Sequence, residues 1–296
     1  MAIDYYIRPM RLDDVAAAER LTAEGFYELD VRTTPRDAPP PSPRSEARSA
    51  LWRRRLEHIV RHDPGGCWVA EDSSGPIGVA AGLKRDLTWI LSTYVVRPGL
   101  QGRGVGRQLL EASLGYGDGC LRGMLAASPD PWAARRYRLA GFSLHPAMFL
   151  NGTVARALLP VVDRVREGGV GDIDLLNSLD RRVRDSAHGV DHEWLISTYR
   201  LVVADRSTGS GYAYVAPGGG PYLLAATNRR TAADLLWESL AASRPDEPCS
   251  IDDLTPQNEW AIDVGMAARM ALHSSGYLGL RGMKPPVPYI PSGHFL

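Results

Sequence analysis

Lysine is almost missing from this chain of 296 residues: Lys84 and Lys284 are the only two, and the rest of its 34 basic residues are arginine. GC-rich coding produces such a bias, and it carries no functional message by itself. Net charge is missing too. The 34 basic side chains face 34 acidic ones, so no overall field selects nucleic acid or a charged membrane as partner. Cysteine is scarce: Cys67, Cys120 and Cys249 are odd in number and scattered, which excludes a closed disulfide framework and offers no metal-ligand spacing. A reduced, cytoplasmic protein without a metal is the expectation. No apolar run approaches the roughly 18 residues of a membrane span, and residues 1–8 lack the apolar stretch of a signal peptide. The length and a hydrophobic fraction of 44% suit two globular domains.

What is present is an alternation of strands and helices with clear stops. Residues 5–10 read as a strand ended by Pro9. Asp13 is placed to cap the next helix, which carries Val15, Ala18, Leu21 and Phe26 on one face. Residues 33–45 hold Pro35, Pro39, Pro40, Pro41 and Pro43 and cannot form regular structure. They read as a surface loop or as a flap on the substrate side. Residues 45–62 form a helix whose Arg53, Arg54, Arg55 and Arg61 read first as a solvated face and second as an attractor for an acidic substrate. Strands follow at 67–71, 77–84 and 89–96, then a helix from 105 to about 115. A strand at 120–127, a helix at 132–139 and a strand at 142–150 complete this half.

One stretch organises it. Pro98 and Gly99 stop the strand that ends at Val96, and Val105, Leu109, Leu110 and Leu114 recur at helical spacing. Between them lies Gln101-Gly102-Arg103-Gly104-Val105-Gly106, followed by Arg107. Glycines let backbone N–H groups converge without Cβ clashes, and a helix start adds unsatisfied donors and about half a positive charge. Together they make a cradle for a phosphate or pyrophosphate. It is neither a Rossmann fingerprint nor a Walker A loop, because no Gly-Lys-Ser/Thr follows. A plain strand-to-helix turn would also use glycines, but it leaves the flanking arginines without a role.

The order strand, Val96-x-Pro98, Gln101-x-x-Gly104-x-Gly106, helix resembles the acetyl-CoA pyrophosphate loop of the GNAT acetyltransferase superfamily. The opening strand, Arg-Pro and Asp-Asp pattern resembles the start of such domains. The resemblance implies an α/β fold with a mixed sheet, the GNAT acyl-CoA N-acyltransferase fold, splayed between its fourth and fifth strands. It implies acetyl-CoA as acyl donor, held by Gln101, Gly102, Arg103, Gly104, Val105, Gly106 and Arg107. The main chain of Tyr94, Val95 and Val96 would pair with the pantetheine. Tyr137, four residues before Gly141-Phe142, matches the family's general acid, and a phenol of pKa about 10 can protonate a thiolate of pKa about 8.5. Many members carry asparagine where this chain has Asp130, and that departure puts the Asp130 contact with pantetheine in question.

Residues 151–190 read as a helical connector, with helices near 154–165 and 172–185. From there to residue 296 the chain repeats the earlier order: strands at 198–204, 212–216 and 222–226, a helix at 231–243, a strand at 250–254, a helix at 257–274 and a strand at 277–282. The whole therefore resembles a tandem GNAT protein, with domains at 1–150 and 191–296. Where the second cradle should stand there is only Thr227-Asn228-Arg229-Arg230-Thr231, without glycine, so the second half reads as degenerate. Gly218-Gly219-Gly220 precedes a strand and reads as a hairpin turn.

Acetyl transfer needs a held donor, a polarised carbonyl, a deprotonated amine and a protonated leaving group. The base is the gap. A protonated alkylamine costs about 4 kcal/mol to deprotonate at pH 7, yet residues 89–96 contain no carboxylate or histidine. Asp86, Glu28 and His145 are the nearby candidates; Ser92 and Thr93 can only relay. His294 or the terminal carboxylate, in the proline-rich tail, could reach the first domain, against the plainer reading of an arm on the second sheet. The expected function is transfer of an acetyl group to the amine of a small molecule. The alternative is a non-catalytic CoA or acyl-CoA sensor. The acceptor, a longer acyl donor and the oligomeric state, a homodimer included, stay open.

Overall fold

The computed structural model describes residues 4–34, 40–163 and 165–296. The chain forms two compact units: 1–122 with 129–140, and 123–128 with 141–296. The middle of the proline-rich stretch, 35–39, lies outside the described residues.

In the first unit, strand β1 (Tyr6–Pro9) is followed by helices α1 (Val15–Thr33) and α2 (Glu46–His62), strands β2 (Cys67–Asp72), β3 (Gly75–Arg85) and β4 (Thr88–Val96), and helix α3 (Val105–Tyr116). Neighbouring strands pair antiparallel in sequence order, with Arg8 opposite Val69, Ala70 opposite Gly78 and Ala80 opposite Tyr94. Asp14, not Asp13, closes the short 3-10 turn Leu12–Asp14 that leads into α1. Its carboxylate accepts the Arg11 N–H at 2.7 Å and two bonds from the Arg8 guanidinium, each 2.7 Å. Ser45 caps α2 through the Arg48 N–H. The arginines of α2 do not act together: Arg53 pairs with Glu46, Arg61 with Glu57, and Arg55 is buried.

Alternation along β4 sorts its side chains onto two layers. Val95 faces α1, where a Cβ on Gly25 would stand 2.6 Å from Val95 Cγ2. Tyr94 and Val96 join Val105, Leu109, Ala80 and Ile77 on the α3 side. The Trp89 indole donates to the Ser113 carbonyl at 2.9 Å, fixing β4 to α3. Opposite β3 the register skips Ser92, so β4 carries a bulge there, which bends and re-aims the strand. Helix α4 (Pro131–Leu139) also belongs to this unit.

The second unit takes β5 (Arg122–Ala127) from residue 123 on and β6 (Ser143–Thr153). It continues with β7 (Arg166–Glu167), α5 (Ile173–Arg184), α6 (Asp191–Thr198), β8 (Arg200–Arg206), β9 (Gly209–Val215), β10 (Pro221–Ala226), α7 (Arg229–Ala241), β11 (Pro248–Leu254), α8 (Glu259–Ala267), β12 (Ala271–Arg281) and β13 (Tyr289–Ile290). The order β8-β9-β10-α7-β11-α8-β12 repeats β2-β3-β4-α3-β5-α4-β6. One sheet runs β13-β10-β9-β8-β7, and β5-β12-β6-β11 are consecutive neighbours. Each half's last strand is thus inserted beside the other's: β12 pairs with both β5 and β6, and β6 with both β12 and β11. That exchange draws β5 and β6 into the later unit, whereas the sequence suggested a boundary at 150 and a separate connector at 151–190.

Two expected helices differ. Among the described residues of 154–165 there is a short 3-10 turn, Arg156–Leu158, and no α-helix, ahead of Pro160, which has no N–H to donate. The helix expected at 257–274 ends at Ala267, with Arg269 left-handed at φ 68. The next residues join β12, where sheet pairing with β6 overrides helix propensity. The Gly218–Gly220 turn is as read, linking β9 to β10 with Gly219 and Gly220 at φ 85 and 79. The tail lies in its own unit: β13 pairs with β10, and buried Arg184 donates to the Phe295 carbonyl at 3.1 Å.

Candidate functional site

Strand β4 ends at Val96 with two ties. The Gln101 amide donates to the Val96 carbonyl at 3.1 Å, and its oxygen accepts the Gly99 N–H at 3.0 Å. Gln101 therefore shapes the turn that delivers the glycines. Gly99, Gly102 and Gly104 all have positive φ, at 79, 78 and 93, a backbone that L side chains rarely adopt. Gly104 is the N-cap of α3 and has no side chain to cap it, whereas α2, α4 and α7 are capped by Ser45, Asp130 and Asn228. The first amides of α3 are left without a side-chain acceptor, as an anion site at a helix start requires.

Gly106 is glycine for a different reason. A Cβ there would stand 2.4 Å from the Tyr94 hydroxyl. A Cβ on Gly102 would stand 2.7 Å from the Trp132 ring. The cradle is therefore walled by Tyr94 at its Gly106 end and by Trp132 at its Gly102 end. Arg103 is exposed; Arg107 is exposed too and pairs with Glu111 at 2.8 Å. Tyr5, beside Gly104, accepts a 2.8 Å bond from the Gln108 amide.

Tyr137 is 5% exposed, and its ring lies 6.1 Å from that of Tyr94. Its hydroxyl makes no hydrogen bond among the described residues. Burial, assisted by neighbouring Tyr94, pushes its pKa up, so the proton is firmly held at neutral pH. Burial likewise pushes Tyr94 up to about 12, against the pull of Arg136. Asp130 is already committed. One oxygen accepts the N–H groups of Trp132 and Ala133, at 2.8 and 2.9 Å, and the other accepts from Arg32.

The base candidates separate. Asp86 is an exposed residue with φ 45 in the β3–β4 turn, so at about 3.3 Å per strand residue it stands roughly 20 Å back from Tyr94 along the strand. Glu28 is exposed on α1. Ser92 and Thr93 are buried at the bulge. His145 belongs to β6 in the second unit, opposite Leu278.

In the second unit the helix corresponding to α3 is closed. Asn228 accepts the Thr231 N–H at 2.9 Å and donates to the Thr208 carbonyl at 3.0 Å, so its own side chain occupies the place an anion would need.

The same unit holds one cluster with metal-ligand chemistry among the described residues: Asp180, His188 and His192, all fully buried. Asp180 Oδ2 lies 2.7 Å from His188 Nδ1 and 3.0 Å from His192 Nε2, and Oδ1 accepts from the Tyr212 hydroxyl. His192 Nδ1 lies 2.9 Å from the Tyr214 hydroxyl. These are hydrogen-bond lengths, and they engage each of the three converging ligand atoms. Burial works to raise the Asp180 carboxyl, but the two rings outweigh it and hold it low; burial and the Arg184 charge push His188 down to about 4. The sequence reading missed this cluster, whose trace is Asp180 followed by His188-x-x-x-His192. It also missed Trp132.

A profile described as the acetyltransferase (GNAT) family matches residues 23–142. No curated protein matches the chain. Among solved structures, a proposed acetyltransferase of Pyrococcus horikoshii superposes with TM-score 0.72 at 16% identity, over 95% of this chain and 90% of its own. A GCN5-related N-acetyltransferase from Sphaerobacter thermophilus gives 0.56 at 16% identity, over 97% and 98%. A tandem GNAT protein from the clavulanic acid biosynthesis pathway gives 0.53 at 16% identity, over 94% and 98%. At such identity these structures speak for the fold alone.

Proposed function

For a chain with the tandem GNAT fold whose residues 23–142 match the GNAT acetyltransferase family, we propose transfer of an acetyl group from acetyl-CoA to the amine of a small molecule. The observation that carries this reading is the glycine cradle at the uncapped start of α3, with a buried, protonated tyrosine beside it. The donor supplies an activated thioester; everything else is asked of the chain. The amides of residues 102–107 bind the pyrophosphate, with Arg103 and Arg107 adding charge. The main chain of Tyr94, Val95 and Val96 orients the pantetheine, and the Ser92 bulge sets the direction of that strand. Tyr137 holds a proton on Oη for the leaving sulfur. Burial keeps that proton on the phenol in the resting site, and the same burial disfavours a thiolate left without one. Asp130 contributes by fixing the start of α4, both of its oxygens already accepting hydrogen bonds. No resident metal is assigned a role. Location in the cytoplasm is part of the same proposal; among the described residues no helix is long and apolar enough to cross a membrane. The acceptor is a small molecule, with no nucleic acid or membrane partner.

One observation favours a second reading, an acyl-CoA sensor: β4, Thr88–Val96, has no carboxylate or histidine to serve as base. Release of CoA from acetyl-CoA across an amine panel, with Tyr137→Phe beside the wild type, separates the two. Amine-dependent release that falls in the variant supports transfer. Tight binding of acetyl-CoA with no release for any amine supports the sensor.

A further inference from the structure

Trp132 is out of place for a packing residue. It is 65% exposed, so much of a large aromatic surface is open to a ligand at this end of the cradle. Its position is nonetheless fixed. The backbone N–H is bonded to Asp130, which Arg32 holds in turn, and the six-membered edge of the indole meets Gly102 through Cζ3, Cη2 and Cε3. The cradle thus has two unlike ends. At Gly106 stand Tyr94 and, behind it, buried Tyr137. At Gly102 stands an open indole.

A ligand with a pyrophosphate in its middle must send one arm each way. The arm bearing the reactive sulfur has to reach the buried tyrosines. The polar, bulky nucleotide arm is then left at the solvent end, where the indole offers a flat apolar surface. We propose that Trp132 is the stacking platform for the adenine ring of CoA, so that the site selects donors carrying a purine and not the phosphopantetheine arm alone. This rests on the cradle being a CoA site. Every purine and every indole has a π-face, so the contact needs no hydrogen-bond readout.

The test compares two ligands by isothermal titration: CoA, and 4′-phosphopantetheine, which keeps the pantetheine and one phosphate but lacks the 3′-phosphoadenosine and the second phosphate. Trp132→Ala should weaken CoA about tenfold, within the range of a base–aromatic stack, and leave 4′-phosphopantetheine within about twofold. Trp132→Phe should recover most of the CoA affinity, because a flat ring remains. The proposal is overturned if Trp132→Ala leaves CoA binding unchanged. It is equally overturned if both ligands weaken alike, since Trp132 would then only shape the Gly102 turn. A wild-type chain that binds no CoA sinks the cradle reading itself, and the stacking with it.

Discussion

Gly106→Ala tests whether the start of α3 truly abuts Tyr94. The new Cβ would stand 2.4 Å from the Tyr94 hydroxyl, where 3.4–4 Å is ordinary contact, so the phenol must retreat by about 1 Å. Its ring is hemmed in by Tyr137 at 6.1 Å between centroids, so the retreat is resisted. Overpacking of this kind costs about 1–3 kcal/mol. Replacing a helical glycine by alanine gives back about 1 kcal/mol. The single variant should therefore lose about 1 kcal/mol, or a few degrees of melting temperature, and should weaken CoA binding. Tyr94→Phe removes the offending oxygen, and that hydroxyl has no hydrogen bond among the described residues to lose. In the Tyr94→Phe background the alanine should be neutral or stabilising, giving a coupling of about 1–2 kcal/mol in a double-mutant cycle read by urea unfolding. Effects that add within about 0.5 kcal/mol would refute the contact.

Three other outcomes rest on the same geometry. Tyr137→Phe should lower kcat about 100-fold, the scale of a lost general acid, with the acetyl-CoA KM within about twofold in steady-state assays. Asp130→Ala should destabilise by about 1 kcal/mol through the lost cap, while Asp130→Asn, which keeps the acceptor, should cost little; thermal melts distinguish them. His188 is buried neutral with its pKa near 4, below the ordinary value of about 6.5. As pH falls below 6.5 the unfolded chain takes up the proton first, so stability present above pH 6.5 is lost on the way to pH 4, by on the order of 3 kcal/mol. A urea midpoint flat between pH 7 and 4.5 would contradict this.

The first half was legible because glycine and proline mark its stops. Pro9, Pro98 and Gly99, and Gly141 all fall at or between the ends of regular elements, and the order of strands and helices around them is as read. Legibility failed where tertiary pairing decides. Nothing local at Arg269 announces the end of α8, since Ala267, Ala268 and Met270 are good helix formers; pairing with β6 claims the residues from Ala271 on. The strand exchange that moves β5 and β6 into the second unit needs a partner more than a hundred residues away. The Gln101, Gly104 and Gly106 pattern was visible in sequence, but the reasons for it were not. Gln101 acts on Val96 and Gly99, and Gly106 answers to Tyr94, twelve positions earlier. Trp132 acquires meaning only beside Gly102. The Asp180 cluster needs Tyr212 and Tyr214 from a later hairpin to complete its bonds.

The most direct measurement is isothermal titration of CoA into the wild-type chain and Gly104→Glu. At φ 93 a side chain is strained by about 1–2 kcal/mol, and this one adds a negative charge where the pyrophosphate should rest. One CoA should bind per chain in the wild type, because Asn228 closes the second helix start, and none in the variant, with the variant still folded by circular dichroism. No binding to the wild type, two CoA per chain, or undiminished binding to Gly104→Glu would contradict this.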